Sequence, residues 1–336
     1  MALKHFTIPI FIPQLACPFQ CVYCNQRNIS GCQSKPSEEE IIKIIEQHLS
    51  TIPSANSHIE IGFFGGNFTG IPISEQENYL KLIQPYIEKG KVKGIRLSTR
   101  PDYINENVLQ LLKTYHVSTI ELGAQSMDDE VLQLSGRGHN AEEIVRASNL
   151  IKANSFSLGL QMMLGLPGDT LDKSIATAKK IVALKADNTR IYPTLVIKDT
   201  ELEIEYKEKK YSPLSLEQAV EWAKEAYRIV EEANINVLRM GLHPSEGLIS
   251  GESLIAGPFH VSFGELVMTA LWKDVLGELL HNEKKDEINI YVSPAQMNYA
   301  IGYNASNKKM LLSHYKKVKF IADSSIVNRN YHADHC

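Results

Sequence analysis

Short apolar runs rich in β-branched residues alternate with amphipathic stretches of helical period from the start of the chain to about residue 200. The runs predict strands over Phe6–Ile12, His58–Phe64, Gly94–Ser98, Ser118–Leu122, Ser157–Leu164 and Thr189–Ile197. Between them, apolar residues three and four apart predict helices near Ser37–Leu49, Glu75–Glu88, Asn105–Tyr115, Ala141–Ala153 and Leu171–Leu184. Five βα units and a sixth strand imply parallel strands with right-handed crossovers, and the repeat fits a partial or closed barrel better than an open sheet.

After residue 200 the rhythm changes. A charged stretch leads into a helix expected over Leu216–Ala233, a strand over Asn236–Met240, a glycine-rich loop and a helix over Gly264–Leu280. A polar linker, HNEKKDE, precedes a compact tail that reads strand, helix, turn, helix, strand. The expected organisation is a barrel core over 1–200, an extension closing the barrel over 201–280, and a small basic βααβ module over 281–336.

Composition narrows the class. The 336 residues are 43% hydrophobic and 22% charged with a formal net charge of −4, so no global excess of charge announces a nucleic-acid or membrane partner. No apolar stretch approaches the roughly 20 residues of a membrane span, and the first residues lack the pattern of a signal peptide, so a cytoplasmic protein is expected. Five cysteines, an odd number with three of them close together, do not make a secreted disulfide framework.

Those three, Cys17, Cys21 and Cys24, stand in CPFQCVYCN, in the loop after the first predicted strand. A structural zinc site wants a fourth ligand, and Cys32 lies eight residues on at a spacing unlike a paired knuckle. A small zinc site or a redox thiol loop stays open as a reading of these residues alone. Cubane iron–sulfur clusters normally take four thiolates, so three would leave one iron with an open position.

In barrels of this kind chemistry collects where strands end. Here the strand ends carry FFGGNFTG, STRPD, LGAQSMDD and GLPGDT, with GRGH following LGAQSMDD. With the cysteine spacing and Tyr23 before the last cysteine, this set resembles the radical S-adenosylmethionine (SAM) superfamily, in the branch of the catalytic subunit of Elongator and its shorter bacterial relatives. Oxygen-independent coproporphyrinogen oxidase is a more distant likeness. The resemblance implies an α/β fold, a partial (β/α)6 TIM-type barrel of the radical SAM kind with the small C-terminal α+β appendage. It implies a [4Fe-4S] cluster on Cys17, Cys21 and Cys24, with S-adenosyl-L-methionine on the unique iron, and reductive cleavage to a 5′-deoxyadenosyl radical. It also implies an electron donor such as flavodoxin or ferredoxin.

By the same resemblance, Gly65 and Gly66 receive the SAM amino group through backbone carbonyls, which glycine permits by leaving room for close approach. Asn67 stands where many members carry glutamate. Arg137 is placed to pair with the SAM carboxylate, Gly165 and Leu166 to hold adenine, and Tyr23, Ser98, Arg100, Gln125 and Tyr192 to complete the cofactor surround. Beyond the sixth strand, His260 and Glu265 are candidates to orient substrate or move a proton.

From Lys284 onward eight Lys/Arg face four Asp/Glu, an asymmetry that favours a polyanion on that side. The turn at Gly302 resembles that of a KH RNA-binding unit without its second glycine, which makes Gly302, Lys308 and Lys309 candidate contacts for tRNA or other RNA. A module that merely caps the barrel would show the same pattern. The expected function is therefore a radical SAM enzyme acting on RNA. A small metabolite or tetrapyrrole is the alternative substrate, and an RNA-binding or assembly protein with a structural cluster is the alternative class. The final YHADHC reads as a frayed terminus.

Overall fold

The computed structural model describes residues 4–12, 21–25, 28–29, 35–53, 55–281 and 285–335. Cys17, Cys32 and Cys336 lie outside the described residues.

Seven parallel strands form the main sheet: β1 (Lys4–Phe11), β2 (Ser57–Phe64), β3 (Gly94–Thr99), β4 (Val117–Gln125), β5 (Ser157–Leu164), β6 (Asn188–Pro193) and, after the short β7 (Val196–Ile197), β8 (Asn236–Met240). They lie in the order β1-β2-β3-β4-β5-β6-β8, curled into a half-barrel. Between them run α1 (Glu38–Thr51), α2 (Ile73–Glu88), α3 (Glu106–Thr114), α4 (Asp129–Leu134), α5 (Ala141–Ala153), α6 (Leu171–Ala183), α7 (Glu201–Lys207) and α8 (Leu216–Glu232).

Period-two alternation explains which face does what. Ile59, Ile61 and Phe63 of β2, Ile95 and Leu97 of β3, Ile120 and Leu122 of β4, and Leu158, Leu160 and Met162 of β5 share one core with the apolar stripes of the helices. Their alternates, Glu60, Arg96, Glu121, Gln161 and Arg190, therefore line the opposite, concave face. Most crossover helices start where a side chain caps them, α2 after Pro72 being an exception. Asn105, Asp128, Asn140 and Thr170 accept from backbone N–H groups at Val108, Val131, Glu143 and Lys173, respectively.

The barrel-type parallel sheet is as expected, with one strand more. β8 pairs with β6 and extends the sheet beyond six βα units. The run expected as one strand over 189–197 is divided. After Pro193 the chain leaves the sheet, and β7 pairs antiparallel with β9 (Leu254–Ala256). Helix α4 was not anticipated, because six residues are too short to show a period.

After α9 (Glu246–Ile249), helix α10 (Phe263–Gly277) is apolar nearly all round, as expected of a helix buried on both sides. Phe263, Val267, Met268 and Leu271 enter the barrel's core, while Trp272 and Leu276 enter a second core with Ile288, Ile290, Val292, Leu311 and Tyr315. That second core belongs to β10 (Glu287–Val292), α11 (Met297–Ile301), α12 (Ser306–Leu312) and β11 (Lys317–Ala322), the order expected for the tail. The residues read as a frayed end instead include β12 (Tyr331–His335), antiparallel to β10 on its other edge. Among the described residues no helix is long and apolar enough to cross a membrane.

Candidate active site at the barrel rim

The described part of the cysteine loop is laid across the C-terminal ends of the strands. Cys24 N–H donates to Cys21 O at 2.9 Å, closing a turn with the two cysteines at its ends. Val22 anchors the turn twice: its N–H donates to Ser135 O at 3.2 Å, and its carbonyl accepts from Leu202 N–H at 2.8 Å. Cys21, Val22 and Tyr23 are buried in a small apolar cluster with Val131, Met163, Leu166, Val196, Leu202 and Tyr211, against which Cys24 and Tyr192 pack.

Arg137 points into this turn. It is buried, and its Nη1 lies 3.4 Å from Cys21 Sγ and 3.4 Å from Tyr23 Oη, while Nη2 donates to Gly123 O. Its Nε is buried without a hydrogen-bond partner among the described residues. Its own carbonyl accepts from Arg100 Nη2 at 2.6 Å, and Arg100 is in turn gripped by both carboxylate oxygens of Asp102 at 2.9 Å each. Gly123 leaves the room this needs, since a Cβ there would lie 2.9 Å from Gln125 Nε2 and 3.5 Å from Arg137 Nη2.

Burial pushes the Tyr23 phenol well above its ordinary value, with Arg137 opposing and the two sulfurs adding to the rise. Burial works against the Arg137 charge, but Tyr23 and Cys21 overcome it and raise the guanidinium above its ordinary value. His139, two residues on, is held down to about 4 by burial and then by Arg137, with Asp102 pulling the other way.

The remaining rim residues are placed as follows. Asn67 is buried, and its Oδ1 accepts from Thr99 Oγ1 at 2.7 Å and from Arg100 N–H at 3.3 Å, so this side chain ties the GGN loop to the end of β3. Gly65 adopts φ +93° at that loop. Ser98 is half-buried near the end of β3 on the concave face. Gln125 follows a bulge in β4 at φ +68° and accepts from Gln161 Nε2 at 3.2 Å. Gly165 is fixed on both sides, its N–H donating to Asp169 Oδ2 at 2.8 Å and its carbonyl accepting from Tyr211 Oη at 2.6 Å. Leu166 is buried beside it.

Below the rim, the concave face carries a chain of charges. Arg96 donates to Glu60 at 3.1 Å and to Glu121 at 2.9 Å, and Arg190 grips Glu121 through Nε at 2.5 Å and Nη2 at 3.2 Å. Arg190 also reaches Tyr192 Oη at 3.4 Å and stacks over Phe64, 5.2 Å from the ring centre. Sequence reasoning passed over Glu121, Arg190, His139 and Tyr211. For Glu121 and Arg190 the available signal was a charge at alternate positions inside otherwise apolar strands; His139 and Tyr211 lie in loops and carry no such pattern.

His260 accepts from Ser262 N–H through Nδ1 at 3.0 Å and meets the Tyr303 ring edge-on at 5.2 Å. Glu265 is exposed in the first turn of α10. In the tail, Gly302 is buried at φ +87°, and the turn it opens is seated on α10: Tyr303 N–H donates to Thr269 Oγ1 at 2.9 Å and Asn307 Nδ2 to Thr269 O at 3.0 Å. Lys308 is half-buried and Lys309 exposed.

A family model described as the Radical SAM superfamily matches residues 11–181, and one described as the Radical_SAM C-terminal domain matches 186–273. The tRNA uridine(34) acetyltransferase of Dehalococcoides mccartyi is 24% identical over 239 residues, covering 61% of this chain and 52% of that protein. Elongator complex protein 3 of Homo sapiens is 28% identical over 199 residues, covering 52% of this chain and 36% of that one. The chain thus spans about half the length of the first relative and less of the second. Among solved structures, the archaeal Methanocaldococcus infernus Elp3 with an N-terminal deletion superposes with a TM-score of 0.66 at 22% identity, over 82% of this chain and 64% of that chain, a likeness of fold.

Proposed function

The chain belongs to the Radical SAM superfamily, and from that premise we propose that it is a tRNA-modifying enzyme whose radical reaction begins at Cys17, Cys21 and Cys24. Names of relatives support the choice of RNA: they include a tRNA uridine(34) acetyltransferase. Acting on tRNA would place it in the cytoplasm.

The described residues fit a thiolate-held cluster. The turn presents Cys21 and Cys24 beside a buried guanidinium whose Nε has no partner among the described residues, and soft thiolate sulfur with a cationic neighbour is the donor chemistry such a cluster takes. When bound, a [4Fe-4S] cluster supplies the electron that cleaves SAM to methionine and a 5′-deoxyadenosyl radical.

The chain's own residues do the rest. Arg137 places positive charge against Cys21 and is itself held by Gly123 O and by Arg100 through its carbonyl. Val22, Leu166 and Leu202 pack in one apolar cluster with Cys21 and shield that residue from water. With the Asn67 side chain committed to Thr99 and Arg100, the GGN loop offers SAM the main-chain groups of Gly65 and Gly66. Tyr211 fixes the Gly165 carbonyl, so the loop that receives adenine is set in advance.

The single observation carrying this reading is the contact of Arg137 with Cys21. Anaerobic reconstitution should yield about four irons per chain and 5′-deoxyadenosine from SAM under dithionite, both lost in Cys21→Ala. Nucleoside mass spectrometry of tRNA and rRNA from cells with and without the protein then tests the substrate. An unchanged nucleoside profile would remove the RNA assignment and leave the SAM chemistry standing.

A further inference from the structure

Five strands each place one charged residue on the concave face: Glu60, Arg96, Glu121, Arg190 and Arg239. The last arrives there by a bulge. Thr189 pairs with Val237 but Arg190 pairs with Arg239, so β8 carries one extra residue at this step. Without it, Arg239 would follow Val237 towards the helices; with it, Arg239 stands beside Arg190 on the inner face.

The carboxylates there are already shared out. Glu60 and Glu121 serve Arg96, and Glu121 serves Arg190 as well. Arg239 forms no salt bridge among the described residues. Its hydrogen bonds go to the main-chain carbonyls of Gly241 at 2.9 Å and Leu242 at 3.2 Å, which orient the guanidinium without neutralising it. Outside the described residues the sequence holds a single Asp or Glu, Glu283, in the linker before the tail. Burial holds the Arg239 guanidinium below its ordinary value, with Tyr192 pulling it up and Arg190 pushing it down. Burial and Arg239 lower the nearby His243 as well.

A half-buried cation next to a second cation gains when an anion arrives, and guanidinium is suited to bind oxyanions through two N–H groups. We propose that Arg239 binds an oxyanion of the substrate, a phosphate where that substrate is RNA, and so seats it at the end of β8, next to Tyr192 of β6. The identity of the anion rests on the RNA reading above; the existence of the site does not.

The test compares wild type, Arg239→Gln and Arg239→Lys, all reconstituted. In the first arm, a labelled single-stranded RNA is titrated by fluorescence anisotropy across a potassium chloride series. Loss of one phosphate contact should weaken Arg239→Gln about tenfold and lower the slope of log affinity against log salt by about 0.7, while Arg239→Lys keeps the slope. In the second arm, inorganic phosphate is added at fixed ionic strength. It should raise the melting midpoint of wild type and Arg239→Lys but not of Arg239→Gln. If Arg239→Gln matches wild type in both arms, the site is overturned. If no RNA binds but phosphate acts through Arg239, the site stands and the RNA reading falls.

Discussion

Removing the Glu121 carboxylate should be among the most damaging single changes to the barrel. Glu121 is 4% exposed and takes Arg96 on one oxygen and Arg190 across both. In Glu121→Ala, Arg96 keeps Glu60, but Arg190 at 17% exposure is left with Tyr192 Oη and the Phe64 ring. Stranding a buried guanidinium this way costs about 3–5 kcal/mol. Glu60→Ala should cost less, about 1–3 kcal/mol, because Arg96 still has Glu121. The sign of the coupling is diagnostic. In Glu121→Ala/Arg190→Met the stranded charge is gone, so the double variant should be more stable than additivity predicts, by about 2 kcal/mol. Urea unfolding of five apo proteins, wild type, Glu121→Ala, Arg190→Met, their double variant and Glu60→Ala, measures all of this. A Glu121→Ala cost below about 1 kcal/mol, or strict additivity, would refute the argument.

His139 sets a pH dependence. Unfolded, it takes a proton below its ordinary 6.5, whereas folded it resists until about 4, so the unfolded state binds more protons across that window. Stability should therefore fall as pH drops from about 6.5 to 4, by up to about 3 kcal/mol from this group, and be flat above it. His139→Gln should lose that part of the slope in urea unfolding at stepped pH, and an identical profile would contradict it. Tyr211→Phe leaves the Gly165 carbonyl without its 2.6 Å donor. Loosening the loop after β5 should weaken SAM binding about tenfold by isothermal titration, roughly 1.4 kcal/mol, and an unchanged dissociation constant would separate that loop from the cofactor.

The strand and helix order was legible because buried parallel strands and amphipathic crossover helices write different periods into the chain. What escaped was pairing. Arg96 with Glu60, Arg96 with Glu121 and Arg190 with Glu121 join residues 36, 25 and 69 positions apart, and no local pattern says which carboxylate meets which guanidinium. Arg137 stood out through its motif, but its contact with Cys21, 116 positions away, exists only once the rim is assembled. Asn67 was visible as a substitution in a familiar loop, whereas its bond to Thr99 was not. At Arg239 the bulge decides everything, since regular alternation from Val237 would aim it at the wrong face.

Helix α10 is a party wall. One side of it closes the barrel through Phe263, Val267 and Leu271, and the other roofs the small sheet through Trp272 and Leu276. The tail is thus not a cassette that can be lifted off or exchanged between enzymes. Cutting the chain after His281 would leave Trp272, now wholly buried, facing water on the barrel's own helix. Because the same helix begins beside His260 at the rim, anything that tilts the module would turn the wall and be felt at the mouth of the barrel.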